Sequence, residues 1–187
     1  MLFSKIFTTG AVMAATAMAA LTPTQIVTSI KQVTTLSQQI QTPANSITIV
    51  NAPLIVIGQG PFPEIIKGFT QIVTTATSAI GQLDGTQPIT ADADATAVFD
   101  AFREFVRVHQ ALLNILIGKA GLITSVPFVG QPVAAVLRQV EGVVDTIAIT
   151  LIDLVESRSK DLESEANNLG GTLDLCIQKY EGLQVNP

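Results

Sequence analysis

From Thr22 onward the chain is a succession of helical hydrophobic stripes separated by short breaks. Ile26, Ile30, Val33, Ser37 and Ile40 recur at spacings of four, three, four and three, which is one face of a helix. Thr22, Pro23 and Gln25 stand at the N-cap, N1 and N3 positions of a capping box. Thr42-Pro43 is the expected end, because a residue before proline avoids helical angles. A second stripe runs from about Pro61 to Leu83 through Ile65, Phe69, Ile72, Ala76 and Ala79, and Asp84-Gly85 closes it. A third opens at Thr90 and reaches about Gly118. Its seam is Val98, Phe102, Phe105, His109, Leu112 and Leu116, widened by Phe99, Val106 and Leu113.

Beyond Pro127 and Gly130 a fourth stripe spans about Gln131 to Glu156, with Val133, Val136, Val140, Val144, Ile147, Leu151 and Leu154 as its seam. It is apolar on more than one face, which predicts the central helix. The last carries Leu162, Ala166, Leu169, Leu173, Cys176, Tyr180 and Leu183, alternating four and three as in bundle packing. Gly170-Gly171 in its middle predicts a kink or a close helix approach. Residues 44–60 fit neither pattern. Ser46 to Val50 alternates like a strand and Leu54 to Ile57 is apolar, but Asn51, Pro53, Gly58 and Gly60 interrupt both. A lone hairpin is marginal in water. The fold class is therefore all-α: an up-and-down helical bundle of four long helices plus an optional short fifth. An apolar irregular segment at 44–60 lies across it.

The first residues change the picture of where this bundle works. Lys5 is followed by an apolar run from Gly10 to Ala20, and Ala17-Met18-Ala19 offers small residues where a signal peptidase reads. Residues 1–19 are expected to be a signal peptide and residues 20–187 a single helical-bundle domain of a secreted protein, extracellular or held in the cell wall. No later stretch is long and apolar enough for a transmembrane segment in the mature chain. Net charge is −5, which removes the electrostatic footprint for nucleic acid.

Composition narrows the chemistry. The chain is 48% hydrophobic and 13% charged, against roughly 25% charged for ordinary domains. Apolar material therefore exceeds what a polar exterior hides easily. Cys176 is the only cysteine, so the fold holds itself by packing without an internal disulfide.

Catalytic equipment is sparse. His109 is the only histidine and lies on an apolar seam; with Cys176 it could form a thiol–imidazole pair, although both positions read first as core. One His and one Cys do not make a zinc site without carboxylates. Asp92 and Asp94 read as first-turn carboxylates facing a helix dipole rather than as a metal loop. Arg138, Glu141 and Asp145 share a face that reads as solvated or as an intrahelical ion pair. No Gly-x-Ser-x-Gly or phosphate loop is present. No catalytic residue, metal ligand or cofactor is assigned, and the chain is read as a non-enzyme. The positive feature is a set of aliphatic seams whose medium-sized side chains can leave a slot between helices. Phe69, Phe102, Phe105 and Phe128 are the largest residues expected to face inward.

The segments Val108–Asn114 (VHQALLN) and Glu141–Asp145 (EGVVD), with the signal peptide and the Thr-rich first helix, carry a resemblance. The chain resembles the fungal hydrophobic surface-binding protein A family, which includes cell wall galactomannoproteins. The resemblance spans Thr22 to about Leu183. It implies a secreted or wall-associated helical bundle; some members hold fatty acids in a central apolar cavity, and others adsorb to hydrophobic surfaces and help recruit hydrolases. No binding residue is carried over from it.

The expected function is then sequestration of a fatty acid or other apolar small molecule. The acyl chain is expected between the second to fifth helices, near Phe69, Ile72, Phe102, Phe105, Val140, Val144, Ile147 and Leu173, with His109 meeting the head group. The alternatives are adsorption to hydrophobic surfaces or the cell wall through 44–60, and a secreted effector that engages a partner protein.

Overall fold

The computed structural model describes residues 20–123 and 129–182. The expected signal peptide, Pro127, Phe128 and Leu183 lie outside the described residues. Among the described residues there are five long helices: α1 (Pro23–Asn45), α2 (Pro61–Leu83), α3 (Asp92–Ala120), α4 (Gly130–Leu154) and α5 (Ser159–Glu181). The fold is all-α, as the stripes predict. The fifth helix is not short: α5 has 23 residues, as many as α1 and α2.

Local chemistry sets most of the boundaries. At α1 the capping box is complete: Gln25 N–H donates to Thr22 Oγ1, and Thr22 N–H to Gln25 Oε1. The helix does not stop at Thr42. It continues through Pro43 to Asn45. A proline in the last turn forfeits one backbone donor, while Asn45 Nδ2 and Ser46 Oγ donate to the carbonyls of Gln41 and Pro43. At α3 the start falls at Asp92, two residues after the expected opening at Thr90, with Asp92 and Asp94 in its first turn.

The helices form a closed ring in the order α1, α2, α4, α5, α3. Each helix runs beside two neighbours, and across the interior side chains meet, as Phe69 of α2 does His109 of α3. α1, α3 and α5 run one way and α2 and α4 the other. The parallel pairs are visible in matched contacts: Ser37 with His109 between α1 and α3 and Ile47, just past α1, with Lys119 of α3, then Gln110 with Thr172 and Leu116 with Tyr180 between α3 and α5. The ring corrects the expectation of a central α4. That helix is a ring member with α2 and α5 on either side, and its second apolar face is left outside, where Ile149 is exposed. The longest helix, α3, buries the most side chains.

The glycines also separate close approach from open space. Gly68 of α2 lies where a Cβ would sit 2.5 Å from Cγ1 of Ile40 on α1, so its bareness lets those helices meet. At Gly170 and Gly171 a Cβ would meet nothing within 4 Å. The close approach expected there is absent; α5 runs through unbroken, and the two glycines line an open groove against α4.

Candidate functional site

The ring interior fills with the seams of all five helices, but one end is incompletely packed. A cleft there is walled by Ile26, Ile30 and Val33 of α1, Ala79 and Leu83 of α2, Phe102 and Phe105 of α3, and Ile147 and Leu151 of α4. Its surface is apolar, and its volume is about 30 Å³. Half-buried Leu21, Ser29, Ala79 and Ile147 form its rim. The cleft lies where mostly aliphatic side chains from four helices converge on the Phe102 and Phe105 rings without filling the space between them.

Three of the residues expected to meet an acyl chain, Phe102, Phe105 and Ile147, line this cleft. Ile72, Val140, Val144 and Leu173 are buried in the ring away from it. Phe69 is fully buried and packs edge-on to His109, ring centroids 6.0 Å apart. The helix set differs from the expectation: α1 forms a wall, and α5 does not. The α1 seam carried that signal, but a stripe does not say which neighbour it faces.

Beyond Phe105 lies the one buried imidazole. His109 is fully buried, its ring centroid 5.3 Å from that of Phe105. Its Nδ1 lies 2.8 Å from Oγ of Ser37, also fully buried, on α1. The Ser37 hydroxyl donates to the Val33 carbonyl at 3.0 Å. A hydroxyl has one hydrogen, so both contacts are hydrogen bonds only if Nδ1–H donates to Oγ. That makes Nε2 the bare acceptor, and among the described residues it has no hydrogen-bond partner. Burial pushes the imidazole down to about 4, so the ring is neutral at ordinary pH.

The thiol–imidazole pair is not formed. Cys176 Sγ faces the Leu113 carbonyl at 4.0 Å, and burial pushes the thiol up to about 12. The neutral thiol is a core side chain. Tyr180, one turn on, donates its hydroxyl to the Leu116 carbonyl at 3.1 Å. On the outer face Arg138 pairs across to Glu181 of α5, where the sequence reads as a solvated face or an intrahelical ion pair. Glu141 is held above the usual carboxylate range by partial burial and by a hydrogen bond with Asp174. Among the described residues no cluster of three or more His, Cys, Asp or Glu is placed to hold a metal ion.

The opposite end of the bundle carries segment 44–60. It is irregular apart from a six-residue 3₁₀ helix, Ala52–Ile57. Asn51 organises it: Oδ1 accepts from Thr48 N–H at 2.7 Å and Nδ2 donates to the Ser46 carbonyl at 2.7 Å. Lys119 Nζ donates to the Ile47 carbonyl at 2.9 Å and ties the segment to α3. Gly58 and Gly60 adopt left-handed φ of 71° and 81°, and at Gly60 a Cβ would sit 2.8 Å from the Asn51 carbonyl oxygen. This built turn leaves Ile49, Val50, Leu54, Val56 and Ile57 exposed, Val50 by 86%. No charged residue occurs from Gln32 through Pro63. Among the described residues no helix is long and apolar enough to cross a membrane.

No family model matches this chain, and no curated protein matches it. Solved structures do resemble it. The crystal structure of AfMP4p in complex with palmitic acid is similar with a TM-score of 0.74 and 16% identity, covering 85% of this chain and 99% of that one. Ligand-binding domain 2 of the Penicillium marneffei MP1 protein, complexed with multiple arachidonic acids, gives 0.67 at 12% identity, covering 85% and 94%. Ligand-binding domain 1 of the same protein, complexed with arachidonic acids, gives 0.64 at 15% identity, covering 83% and 98%. At these identities the likeness establishes a shared all-α fold.

Proposed function

We propose that this chain is a secreted, non-enzymatic protein that sequesters a fatty acid or similar apolar chain inside its helical ring. The observation that carries the reading is the apolar cleft between α1, α2, α3 and α4, lined by Phe102, Phe105 and Ile147. Support comes from the fold it shares with proteins crystallised with palmitic and arachidonic acids. The signal-peptide pattern at residues 1–19 supports secretion, and Val108–Asn114 with Glu141–Asp145 supports membership of the hydrophobic surface-binding protein A family.

The cleft of about 30 Å³ is far smaller than the roughly 300–1,000 Å³ of ordinary ligand pockets. An acyl chain therefore enters by parting the walls, with Phe105 and Ile147 moving aside. About 14 buried methylenes at ~0.8 kcal/mol each contribute roughly 11 kcal/mol before ordering costs. That margin is large enough to drive the opening. Native mass spectrometry of protein purified without detergent tests the reading: a retained lipid mass that leaves on denaturation supports it, and bare protein that also refuses added palmitic acid refutes it.

A second reading rests on the exposed turn. Five large apolar side chains within residues 49–57 are exposed on a stretch without charge, which suits hydrophobic surfaces or the cell wall. The combined Val50→Glu, Val56→Glu and Ile57→Glu variant is expected to keep its helical spectrum and lose adsorption to wax or polystyrene. Undiminished adsorption refutes this reading.

A further inference from the structure

We infer that Nε2 of His109 is the polar anchor of the ligand site and accepts a hydrogen bond from a hydroxyl-bearing lipid head group, the neutral carboxylic acid or the alcohol. The inference rests on the lipid-binding reading and adds what that reading lacks, a ligand chemistry.

The cleft and the histidine are one helical turn apart on two helices. Val33 and Phe105 line the cleft, and Ser37 and His109 follow them by four residues on α1 and α3. Phe105 is the wall common to both, with its ring against the imidazole. A chain that displaces Phe105 reaches His109 next. What it meets there is fixed by the hydrogens: Ser37 occupies Nδ1, and Nε2 holds an unshared pair without a partner among the described residues.

A buried acceptor without a partner costs free energy that a matching donor recovers. A carboxylate supplies no donor, and burial in an apolar site favours its protonated form, which does. An alcohol supplies the same O–H with no proton to acquire. A methyl ester supplies only acceptors and sets an oxygen against the Nε2 lone pair. The head group thus lies at the inner end and the tail toward the rim formed by Leu21, Ala79 and Ile147.

The test compares hexadecanol, palmitic acid and methyl palmitate on delipidated full-length protein, wild type and His109→Leu. The wild type is expected to bind the alcohol at least as tightly as the acid and the ester about tenfold more weakly. His109→Leu is expected to bring the ester level with the alcohol. Equal affinity of ester and alcohol in the wild type overturns the anchor while leaving lipid binding intact, as does discrimination that survives in His109→Leu. Failure of all three to bind overturns the lipid-binding reading itself. Should His109→Leu not fold, the ¹⁵N spectrum of the single histidine decides. Nε2 is expected to begin unprotonated and to shift with hexadecanol but not with methyl palmitate, and an Nε2 that is protonated from the start or indifferent to the alcohol refutes the inference.

Discussion

Ser37 Oγ and His109 Nδ1 lie 2.8 Å apart, a fully buried polar contact between α1 and α3 in a largely apolar core. The pair fixes the tautomer, while burial keeps the imidazole neutral and gives the fold a specific pH dependence. The folded-state value, about 4, is below the ordinary 6.5, so the unfolded chain takes the proton first. The stability contributed by a neutral His109 is complete above pH 6.5 and falls as pH drops toward 4. The full loss is about 3 kcal/mol. Urea unfolding from pH 7.5 to 4 is expected to show this decline in the wild type and a flatter profile in His109→Leu. Parallel profiles would refute it.

Glu141 acts with the opposite sign. Its folded-state value is raised by partial burial and by Asp174, so the folded chain holds the proton more tightly than the unfolded one. The stabilising effect of that proton is present at acid pH and lost as pH rises through the folded value. Glu141→Gln is therefore expected to raise the melting temperature at pH 7 and to lose this advantage at acid pH. A lower melting temperature at pH 7 would count against the assignment.

The glycines divide into two classes. Gly68→Ala places a Cβ against Ile40, which is buried and has little room to yield. Overpacking of this kind costs about 1–3 kcal/mol, which outweighs the helix-propensity gain of about 1 kcal/mol. Gly170→Ala and Gly171→Ala meet open space within a continuous helix and are each expected to stabilise by about 0.5–1 kcal/mol. Chemical denaturation of the three variants separates the two classes, and a stabilised Gly68→Ala would show that α1 and α2 do not meet closely there.

Cys176 is expected to be inert. Its thiol is buried and its thiolate strongly disfavoured, so dithionitrobenzoate should label it only after denaturant unfolds the chain. Labelling of the native protein within minutes would show that the α3–α5 face opens readily.

Much of this architecture is legible in single stripes. Periodicity identifies the inward faces of α1, α2 and α3, and at α2 the expected bounds, Pro61 and Leu83, coincide with the helix. Where the expectation fails, a longer-range fact decides. Pro43 stays helical because side chains in the last turn serve the exposed carbonyls. The second apolar face of α4 marks a solvent-facing strip with Ile149 rather than a central position, because a ring of five has no centre for a helix to occupy. The order of helices around the ring is not encoded in any one stripe. For that reason the α1 wall of the cleft, and Ser37 as the partner of His109, emerge only when α1 is seen beside α3. The exposed turn is the reverse case: its uncharged, apolar run is plain in the sequence, and the hydrogen bonds of Asn51 that hold it open to solvent are not.

The sequestration of an acyl chain inside the ring comes down to a titration of delipidated protein with a fluorescent fatty acid, in the wild type and in Ala79→Phe. Ala79 sits half-buried on the cleft wall, where a phenyl ring fills the space an acyl chain needs. The wild type is expected to saturate, and Ala79→Phe to bind at least about tenfold more weakly while keeping its fold. Absence of saturable binding in the wild type, or undiminished binding in Ala79→Phe, would contradict a ligand site in this cleft.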